Sequence, residues 1–110
     1  MRLGFLVLHT PDVAGMKAFY QELGLKVRFD YDMWVELETG PATLALHGGG
    51  EPTQGAGIFL EVMDVDALYK ELKDKGLAVS PPEDRDFGYR TLVLKDPQGN
   101  IVEIGEPLTP

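Results

Sequence analysis

The sequence contains no cysteine, and this absence removes three kinds of chemistry at once. Disulfide bridges, zinc–thiolate centres and thiol nucleophiles all require the cysteine side chain. The chain also has no apolar run near the roughly 20 residues of a membrane-spanning helix, and its N-terminus lacks the pattern of a cleavable signal peptide. We therefore expect a cytoplasmic protein that does not bind membranes.

Basic residues are scarce relative to acidic ones. The chain has 10 Lys and Arg against 18 Asp and Glu, which gives a formal net charge of −8. A field of that sign repels phosphate groups, so we expect no nucleic-acid partner. The same charge either favours a cationic partner or serves solubility, and the sequence leaves both interpretations open. At 110 residues and 44% apolar content, the chain is long enough for one packed domain.

The clearest structural signal lies in the last fifth of the chain. Two apolar runs, at residues 91–94 and 101–104, flank the turn sequence Asp-Pro-Gln-Gly-Asn at 96–100. Short apolar runs around a Pro and Gly turn predict a β-hairpin. In its second strand Val102 and Ile104 alternate with Ile101 and Glu103. The carboxylate of Glu103 is therefore expected on the face opposite the aliphatic one.

The first half of the chain predicts a strand, a helix and three further strands. Residues 3–10 are typical of a buried strand, Asp12 can cap a helix, and Gly24 fits its end. Three short strands are then expected at residues 25–29, 33–37 and 43–47. Residues 48–55 are rich in glycine. Because no Lys-Ser or Lys-Thr follows them, we interpret them as a flexible linker and not as a phosphate-binding loop.

The second half repeats the first at a fixed offset. Asp64 repeats Asp12, which gives an offset of 64 − 12 = 52 residues, and a new strand is expected to start at residues 77–79. An offset that holds through strand, helix cap and helix end indicates an internal duplication. The aligned pairs are Leu6 and Ile58, Leu8 and Leu60, Asp12 and Asp64, Val13 and Val65, Gly24 and Gly76, and Val27 and Val79.

The duplication predicts an α+β fold of two tandem βαβββ modules. We expect a single domain with module 1 at residues 1–49, a linker at 50–55 and module 2 at 56–110. The strands would form one curved mixed sheet with the helices outside. Alternation along the strands then directs a defined set of side chains inward: Phe5, Val7, His9, Ala45, His47, Gly57, Phe59, Glu61, Ile101 and Glu103.

These motifs resemble the vicinal oxygen chelate superfamily, which includes glyoxalase I, bleomycin resistance proteins and extradiol dioxygenases. The resemblance rests on Asp12-Val13, Phe19-Tyr20, Leu23-Gly24, the repeat at Asp64-Val65, and the 96–100 turn followed by Glu103. It implies paired βαβββ modules in a homodimer. In metal-dependent members, four side chains converge on one divalent cation.

Carried onto this sequence, the resemblance places the four ligand positions at Phe5, Ala45, Gly57 and Glu103. Only Glu103 can donate to a metal, and a divalent cation needs three or more protein ligands. The resemblance therefore implies that the metal site is lost. It places the chain closest to the members that bind drugs without a metal, and we expect no cofactor.

A rearranged metal site is the alternative. His9, His47, Glu61 and Glu103 share the inward face and together offer a plausible ligand set. The structural interpretation of the two histidines is polar residues at strand ends. For Glu61 it is an ion pair with a Lys or Arg. For Glu103 it is an ion pair with Arg90, whose other interpretation is a clamp for an anionic ligand.

Aromatic side chains near acidic ones suit flat cationic ligands. Trp34 lies between Asp32 and Glu36 and is expected at the rim of the sheet, whereas Phe29 is expected in the core. The predicted ligand-binding residues are Phe5, His9, Trp34, His47, Phe59, Glu61, Arg90 and Glu103.

The sequence supports three functional hypotheses. The favoured one is a metal-independent binding protein for a small molecule, a drug or metabolite that is cationic and aromatic, with a role in antibiotic resistance. The second is a metal-dependent lyase, isomerase or dioxygenase that uses the rearranged His and Glu site. The third is a regulatory or partner-binding subunit with a vestigial pocket. No catalytic residue is assigned, and enzymatic activity is left open.

Overall fold

The structure is a computed structural model that describes residues 1–108, and these residues divide into two compact units. The first unit comprises Met1–Gln54 together with Asp96–Gly99. The second comprises Gly55–Lys95 and the described residues from Asn100 onward. The short segment Asp96–Gly99 thus belongs to the first unit, although the strands on either side of it belong to the second.

The first unit contains one helix and one four-stranded mixed sheet among its described residues. The elements are β1 (Phe5–Thr10), α1 (Val13–Glu22), β2 (Val27–Tyr31), β3 (Trp34–Glu38) and β4 (Thr43–Gly48). The strand order is β1-β4-β3-β2, with β1 parallel to β4 and the other pairs antiparallel. This is the predicted βαβββ order.

Helix α1 begins and ends where the sequence indicates. The Asp12 carboxylate accepts a hydrogen bond from the Gly15 amide at 2.9 Å, and Gly24 follows the helix with a φ of +110°. Only glycine adopts a positive φ without steric strain, which explains why the helix ends just before Gly24. Met16 and Tyr20 turn inward and are fully buried with the sheet residues Leu8, Val35, Leu37 and Leu46.

The second unit repeats this plan. The elements are β5 (Gly57–Glu61), α2 (Val65–Asp74), β6 (Glu83–Asp84), β7 (Tyr89–Lys95) and β8 (Ile101–Pro107). The strand order is β5-β8-β7-β6, again with one parallel pair, β5 and β8. Asp64 caps α2 through the Ala67 amide at 3.0 Å, and Gly76 has a φ of +82°. The α+β class and the two tandem modules are therefore confirmed.

The β7–β8 hairpin is also confirmed. Leu94 pairs with Val102, and the Gly99 amide donates to the Asp96 carbonyl at 3.0 Å across the turn. Gly99 has a φ of +88°, as such a turn requires. Val102 and Ile104 are buried, whereas Ile101 is exposed and Glu103 half-buried, so the predicted alternation holds.

The prediction that a strand starts at residues 77–79 is wrong. These three residues lie outside any strand, and pairing with β7 begins at Glu83 in a two-residue strand. Pro81 and Pro82 explain the delay, because a proline has no N–H to donate to a neighbouring strand. Before them, Ser80 bonds to β7: its amide donates to the Val93 carbonyl at 3.0 Å, and its hydroxyl accepts from the Val93 amide at 2.9 Å.

The placement of Phe29 in the core is wrong as well. The ladder between β2 and β3 shifts by one residue between Val27, which pairs with Leu37, and Phe29, which pairs with Glu36. A bulge of this kind moves the following side chains to the other face of the sheet. Phe29 is 50% exposed in consequence.

The glycine-rich segment after β4 is held by hydrogen bonds that its composition does not indicate. The amide and hydroxyl of Thr53 bond to the His9 carbonyl and amide, each at 2.9 Å. The Gln98 side-chain amide donates to the carbonyls of His9 and Thr53 at 3.0 and 2.8 Å. These bonds fix the end of the segment beside β1.

Candidate ligand-binding faces

Each sheet has one face covered by its own helix and a second face that points away from it. We call the second one the distal face. Strand register decides which side chains it holds, because alternate residues point to opposite sides. In the first unit these residues include Phe5, Val7, His9, Phe29, Tyr31, Trp34, Glu36, Ala45 and His47. In the second they include Gly57, Phe59, Glu61, Tyr89, Thr91, Val93, Ile101, Glu103 and Gly105.

Four predicted binding residues form one ring cluster on the distal face of the first unit. Phe5 meets Trp34 edge to face at 5.7 Å, and Trp34 meets His47 in the same way at 5.3 Å. The His47 ring lies 5.4 Å from that of His9. Phe5 is 45% exposed and His47 is exposed, so the cluster presents ring surface that the described part of this unit leaves uncovered.

A carboxylate lies beside the indole of this cluster. Trp34 Nε1 donates to one oxygen of Glu36 at 2.8 Å, and Arg28 Nη2 donates to the other at 2.7 Å. The hydrogen bond from Trp34, and then that from Arg28, hold the pKa of Glu36 below its usual range. Glu36 therefore stays ionised next to an aromatic ring, where sequence reasoning assigned it no function.

The distal face of the second unit carries its own group of rings. Phe59 meets Tyr89 edge to face at 5.0 Å, and Phe87 lies 6.2 Å from Tyr89. Gly105 makes room for this arrangement, since an added Cβ would lie 3.0 Å from the Phe59 ring and 2.8 Å from the Thr91 methyl. Any larger residue at Gly105 would displace one of these side chains.

Glu61 is bound to the same ring group. The Tyr89 hydroxyl donates to Glu61 Oε1 at 2.9 Å, and this hydrogen bond is the main reason that the pKa of Tyr89 is raised. The phenol therefore remains a donor in the neutral range. Glu61 is exposed and has this tyrosine, and not a Lys or Arg, as its hydrogen-bond partner among the described residues.

Glu103 belongs to a chain of polar side chains along the same face. The buried Thr91 hydroxyl donates to Glu103 Oε2 at 2.7 Å and accepts from Arg85 Nε at 2.9 Å. Sequence reasoning missed both Thr91 and Arg85. Strand alternation with Tyr89 and Val93 could have placed Thr91 on this face. Arg85 lies in the β6–β7 turn, where no periodic pattern exists to find it.

Arg90 lies apart from the other predicted binding residues. It pairs with Glu106 across the ladder and so points to the helix side of the sheet. There its guanidinium bonds to Asp66 at 3.1 Å and to Asp84 at 3.0 Å. These hydrogen bonds, that to Asp66 first, raise the pKa of Arg90. Arg90 thus supports the packing of α2 and does not contact Glu103.

The residues at the implied metal positions do not fit a divalent cation. Phe5 and Ala45 in the first unit offer no donor atom, and neither does Gly57 in the second. Only Glu103 can coordinate, and one of its oxygens already accepts from Thr91. One carboxylate does not hold a cation against water.

Neither unit by itself contains the whole rearranged ligand set. His9 and His47 supply two nitrogen ligands in the first unit; Glu61 and Glu103 belong to the second. Among the described residues, three potential ligand atoms come within 4.8 Å of one another at Asp64, Asp66 and Glu106, at the start of α2. The Val65 amide donates to Glu106 there, and Arg90 binds Asp66, so these acids are accounted for by helix capping and ion pairing.

Neither helix in residues 1–108 has the length and apolar character that crossing a bilayer requires.

The two βαβββ units, each with a parallel first and last strand, define the class of protein. The family model for the Glyoxalase/Bleomycin resistance protein/Dioxygenase superfamily matches residues 2–104. The chain belongs to this superfamily, as the sequence motifs indicated. No curated protein sequence matches the chain.

Solved structures with the same fold include binding proteins and an enzyme. TnmS3, an antibiotic-binding protein from Streptomyces sp. CB03234, is 23% identical with a TM-score of 0.85, and the match covers 97% of this chain and 96% of that one. A bleomycin-binding protein complexed with bleomycin is 21% identical with a TM-score of 0.75, over 96% and 98%. Lactoylglutathione lyase from Agrobacterium tumefaciens is 21% identical with a TM-score of 0.78, over 96% and 92%.

Proposed function

We propose that this protein is a metal-independent binding protein for a flat, cationic small molecule. The observation that carries the proposal is the same on both distal faces. In each unit a partly exposed aromatic side chain donates a hydrogen bond to a neighbouring carboxylate, from the Trp34 indole N–H to Glu36 and from the Tyr89 hydroxyl to Glu61.

Such a surface favours flat cations on physical grounds. Aromatic faces stack on a planar ligand and attract its positive charge, and each such contact contributes roughly 0.5–2 kcal/mol. A carboxylate beside the ring adds Coulomb attraction that is strongest where water is displaced. The net charge of −8 raises the local concentration of cationic ligands further.

The composition of the metal positions supports binding over catalysis. Three of the four positions lack a donor atom, so the chain is without the ligand set that the enzymes of the superfamily use. Two of the structurally similar proteins are an antibiotic-binding protein and a bleomycin-binding protein, which agrees with a role in sequestering a drug. The similarity to lactoylglutathione lyase is a similarity of fold, and it does not add metal-donor atoms at these positions.

The residues that we propose to contact the ligand are those of the predicted set that lie on the distal faces. The aromatic ones stack, the histidines extend the ring cluster, and the carboxylates attract the cation. They are Phe5, His9, Trp34 and His47 on the face of the first unit, and Phe59, Glu61 and Glu103 on the face of the second. Arg90 is left out because it lies on the helix side.

Titration with a cationic aromatic dye tests the proposal. Proflavine is expected to bind saturably, with heat release in calorimetry and quenching of Trp34, the one tryptophan in the chain. Acridone, a neutral molecule of similar outline, is the matched control and is expected to bind more weakly. The variant Glu36→Gln, which keeps size and loses the charge beside Trp34, is expected to weaken proflavine roughly fivefold to tenfold. Equal binding of both dyes, or none well above micromolar concentration, would count against the proposal.

Metal analysis tests the enzymatic alternative. Protein purified without a histidine tag is expected to contain no stoichiometric divalent metal. A stoichiometric ion that disappears in the Glu103→Ala variant would replace the binding proposal with a metal-dependent reaction. Light scattering on the same preparation tests the homodimer that family membership leads us to propose.

A further inference from the structure

We propose that Arg85 is a ligand-contacting residue on the distal face of the second unit, where it selects aromatic cations that carry a ring carbonyl. The inference rests on the proposed function and extends it from a class of ligand to a particular pattern of groups on that ligand. It adds a hydrogen-bond donor to a face whose other proposed ligand contacts are an aromatic ring and two carboxylates.

The backbone fixes the position of Arg85. Its amide donates to the Tyr89 carbonyl at 2.7 Å, and its carbonyl accepts from the Gly88 amide at 3.2 Å. Gly88 has a φ of +91°, which closes the tight connection between β6 and β7. Arg85 therefore starts from a rigid turn beside Tyr89, which belongs to the ring group.

The guanidinium is held on one side and available on the other. Its Nε donates to Thr91 at 2.9 Å, and its Nη1 lies 3.3 Å from Glu83. Within residues 1–108, Nη2 has no hydrogen-bond partner, and the side chain is 30% exposed. An arginine with a fixed plane and a free N–H pair is preorganised to donate to a ligand oxygen.

Thr91, which the guanidinium contacts, lies beside the ring group of this face. Thr91 and the Phe59 ring both lie within about 3 Å of the position that a Cβ on Gly105 would take. Phe59 is 43% exposed. A flat ligand stacked on Phe59 therefore extends toward Arg85.

Strand register sets the span between the two polar groups of the site. Glu61 pairs with Gly105, and Gly105 pairs with Thr91 on its other side. The backbones of Glu61 and Thr91 are thus two strand spacings apart, about 10 Å. A three-ring molecule with an ammonium arm on an outer ring and a carbonyl on the middle ring fits within that span. Its ammonium and its carbonyl can therefore face Glu61 and Arg85 while its rings lie over Phe59.

The local charge decides the kind of acceptor. Glu83 and Glu103 flank Arg85, one through the ion pair and one through Thr91. Two carboxylates around one guanidinium leave a negative surplus, which disfavours an anionic oxygen. A neutral carbonyl avoids that repulsion and still gains a hydrogen bond from a charged donor.

A matched pair of cationic probes tests the inference by calorimetry. Aminomethyl-anthracene and aminomethyl-anthraquinone share three fused rings and an ammonium group, and differ in the two ring carbonyls. We expect the wild-type protein to bind the anthraquinone roughly tenfold more tightly. Arg85→Gln is expected to remove most of that preference while leaving anthracene affinity nearly unchanged, and Arg85→Lys to restore part of it. Arg90→Gln, on the helix side, is the control and is expected to keep the full preference.

Each outcome has a definite meaning. If both probes bind and Arg85→Gln leaves their ratio unchanged, the inference fails and the proposed function stands. The same holds if the variant lowers the melting temperature without changing the ratio, because Arg85 then has only a structural role. If neither probe binds the wild-type protein, the proposed function fails and the inference with it.

Discussion

The two units follow one plan, yet equivalent positions in their helices carry different chemistry. Tyr20 in α1 and Leu72 in α2 are related by the offset 72 − 20 = 52, and both are fully buried. Leu72 contributes apolar volume alone. Tyr20 also donates through its hydroxyl to the buried carboxylate of Asp96 at 2.8 Å. The fold thus fixes the size and burial of this position and leaves its polarity free.

The distal faces differ more than the helix sides do. In the first unit, rings and histidines dominate, and the buried Ala45 lies at the position that corresponds to Glu103. In the second, Thr91 joins Glu103 to Arg85 in a hydrogen-bonded chain. The helix-covered sides of the two sheets have kept buried apolar residues, whereas the distal faces carry different side chains.

The largest expected effect comes from truncating the helix core of the second unit. Leu72→Ala removes a fully buried side chain and leaves a cavity, so we expect the free energy of unfolding to fall by about 2–5 kcal/mol in urea denaturation. Leu3→Ala, at a site 66% exposed, is the control and should change it by less than about 0.5 kcal/mol. Equal losses in both variants would contradict the packing of α2 described above.

In the first unit, the equivalent test removes one hydroxyl. Tyr20→Phe keeps the ring but leaves one oxygen of Asp96 without this donor, and we expect a loss of about 1–3 kcal/mol.

The pH dependence separates this effect from packing. Burial first, and then the hydrogen bond to Asp96, raise the pKa of Tyr20 above its unfolded value of about 10. A group whose pKa is raised by folding contributes stability that is fully present below about pH 10 and is lost as the pH rises further. The wild-type protein should therefore lose more stability above that pH than Tyr20→Phe does. Parallel pH profiles would contradict the assignment.

Helix capping is expected to differ slightly between the units. Asp12→Ala and Asp64→Ala each remove an N-cap that accepts one amide hydrogen bond, worth about 1 kcal/mol. Asp64 also lies near Asp66 and Glu106, so its removal relieves repulsion and should cost less. Thermal denaturation at low salt measures the difference, which should shrink as salt is added. A larger loss for Asp64→Ala would show that the acidic group stabilises α2.

The smallest expected effect is an increase in the free energy of unfolding. Gly15 in α1 corresponds to Ala67 in α2, since 67 − 15 = 52. A Cβ added at Gly15 would lie 2.2 Å from an Asp12 oxygen, yet Asp64 caps α2 beside an alanine at a normal 3.0 Å. We expect Asp12 to rotate in the same way and Gly15→Ala to stabilise the protein by about 0.5–1 kcal/mol. A loss in urea denaturation would show that the two caps are not interchangeable.

Local rules account for the features of the fold that the sequence predicts correctly. Turn residues and period-two alternation placed the β7–β8 hairpin and put Glu103 on the correct face. The offset of 52 residues located both helices and their caps. The family resemblance, and not the pattern alone, drew attention to the residues at the metal positions.

The features that the sequence could not predict depend on pairing between strands. The bulge after Val27 turned Phe29 outward, and Pro81 with Pro82 delayed β6, although the repeat indicated otherwise. The positions of Arg90 and Arg85 depend on pairing as well, because ladder register directs Arg90 to the helix side and the β6–β7 turn brings Arg85 to Thr91. That turn has no periodic signal in the sequence.

The turn at Asp96–Gly99 limits how such proteins can be recombined. Although the repeat invites exchange of halves, the first unit takes these four residues from beyond the third strand of the second. A fragment ending at Gln54 would lack the acceptor for the Tyr20 hydroxyl and the amide that holds His9 and Thr53. A hybrid protein that joins first and second halves from different relatives at that boundary would therefore need the Asp96–Gly99 turn from the same protein as its first half.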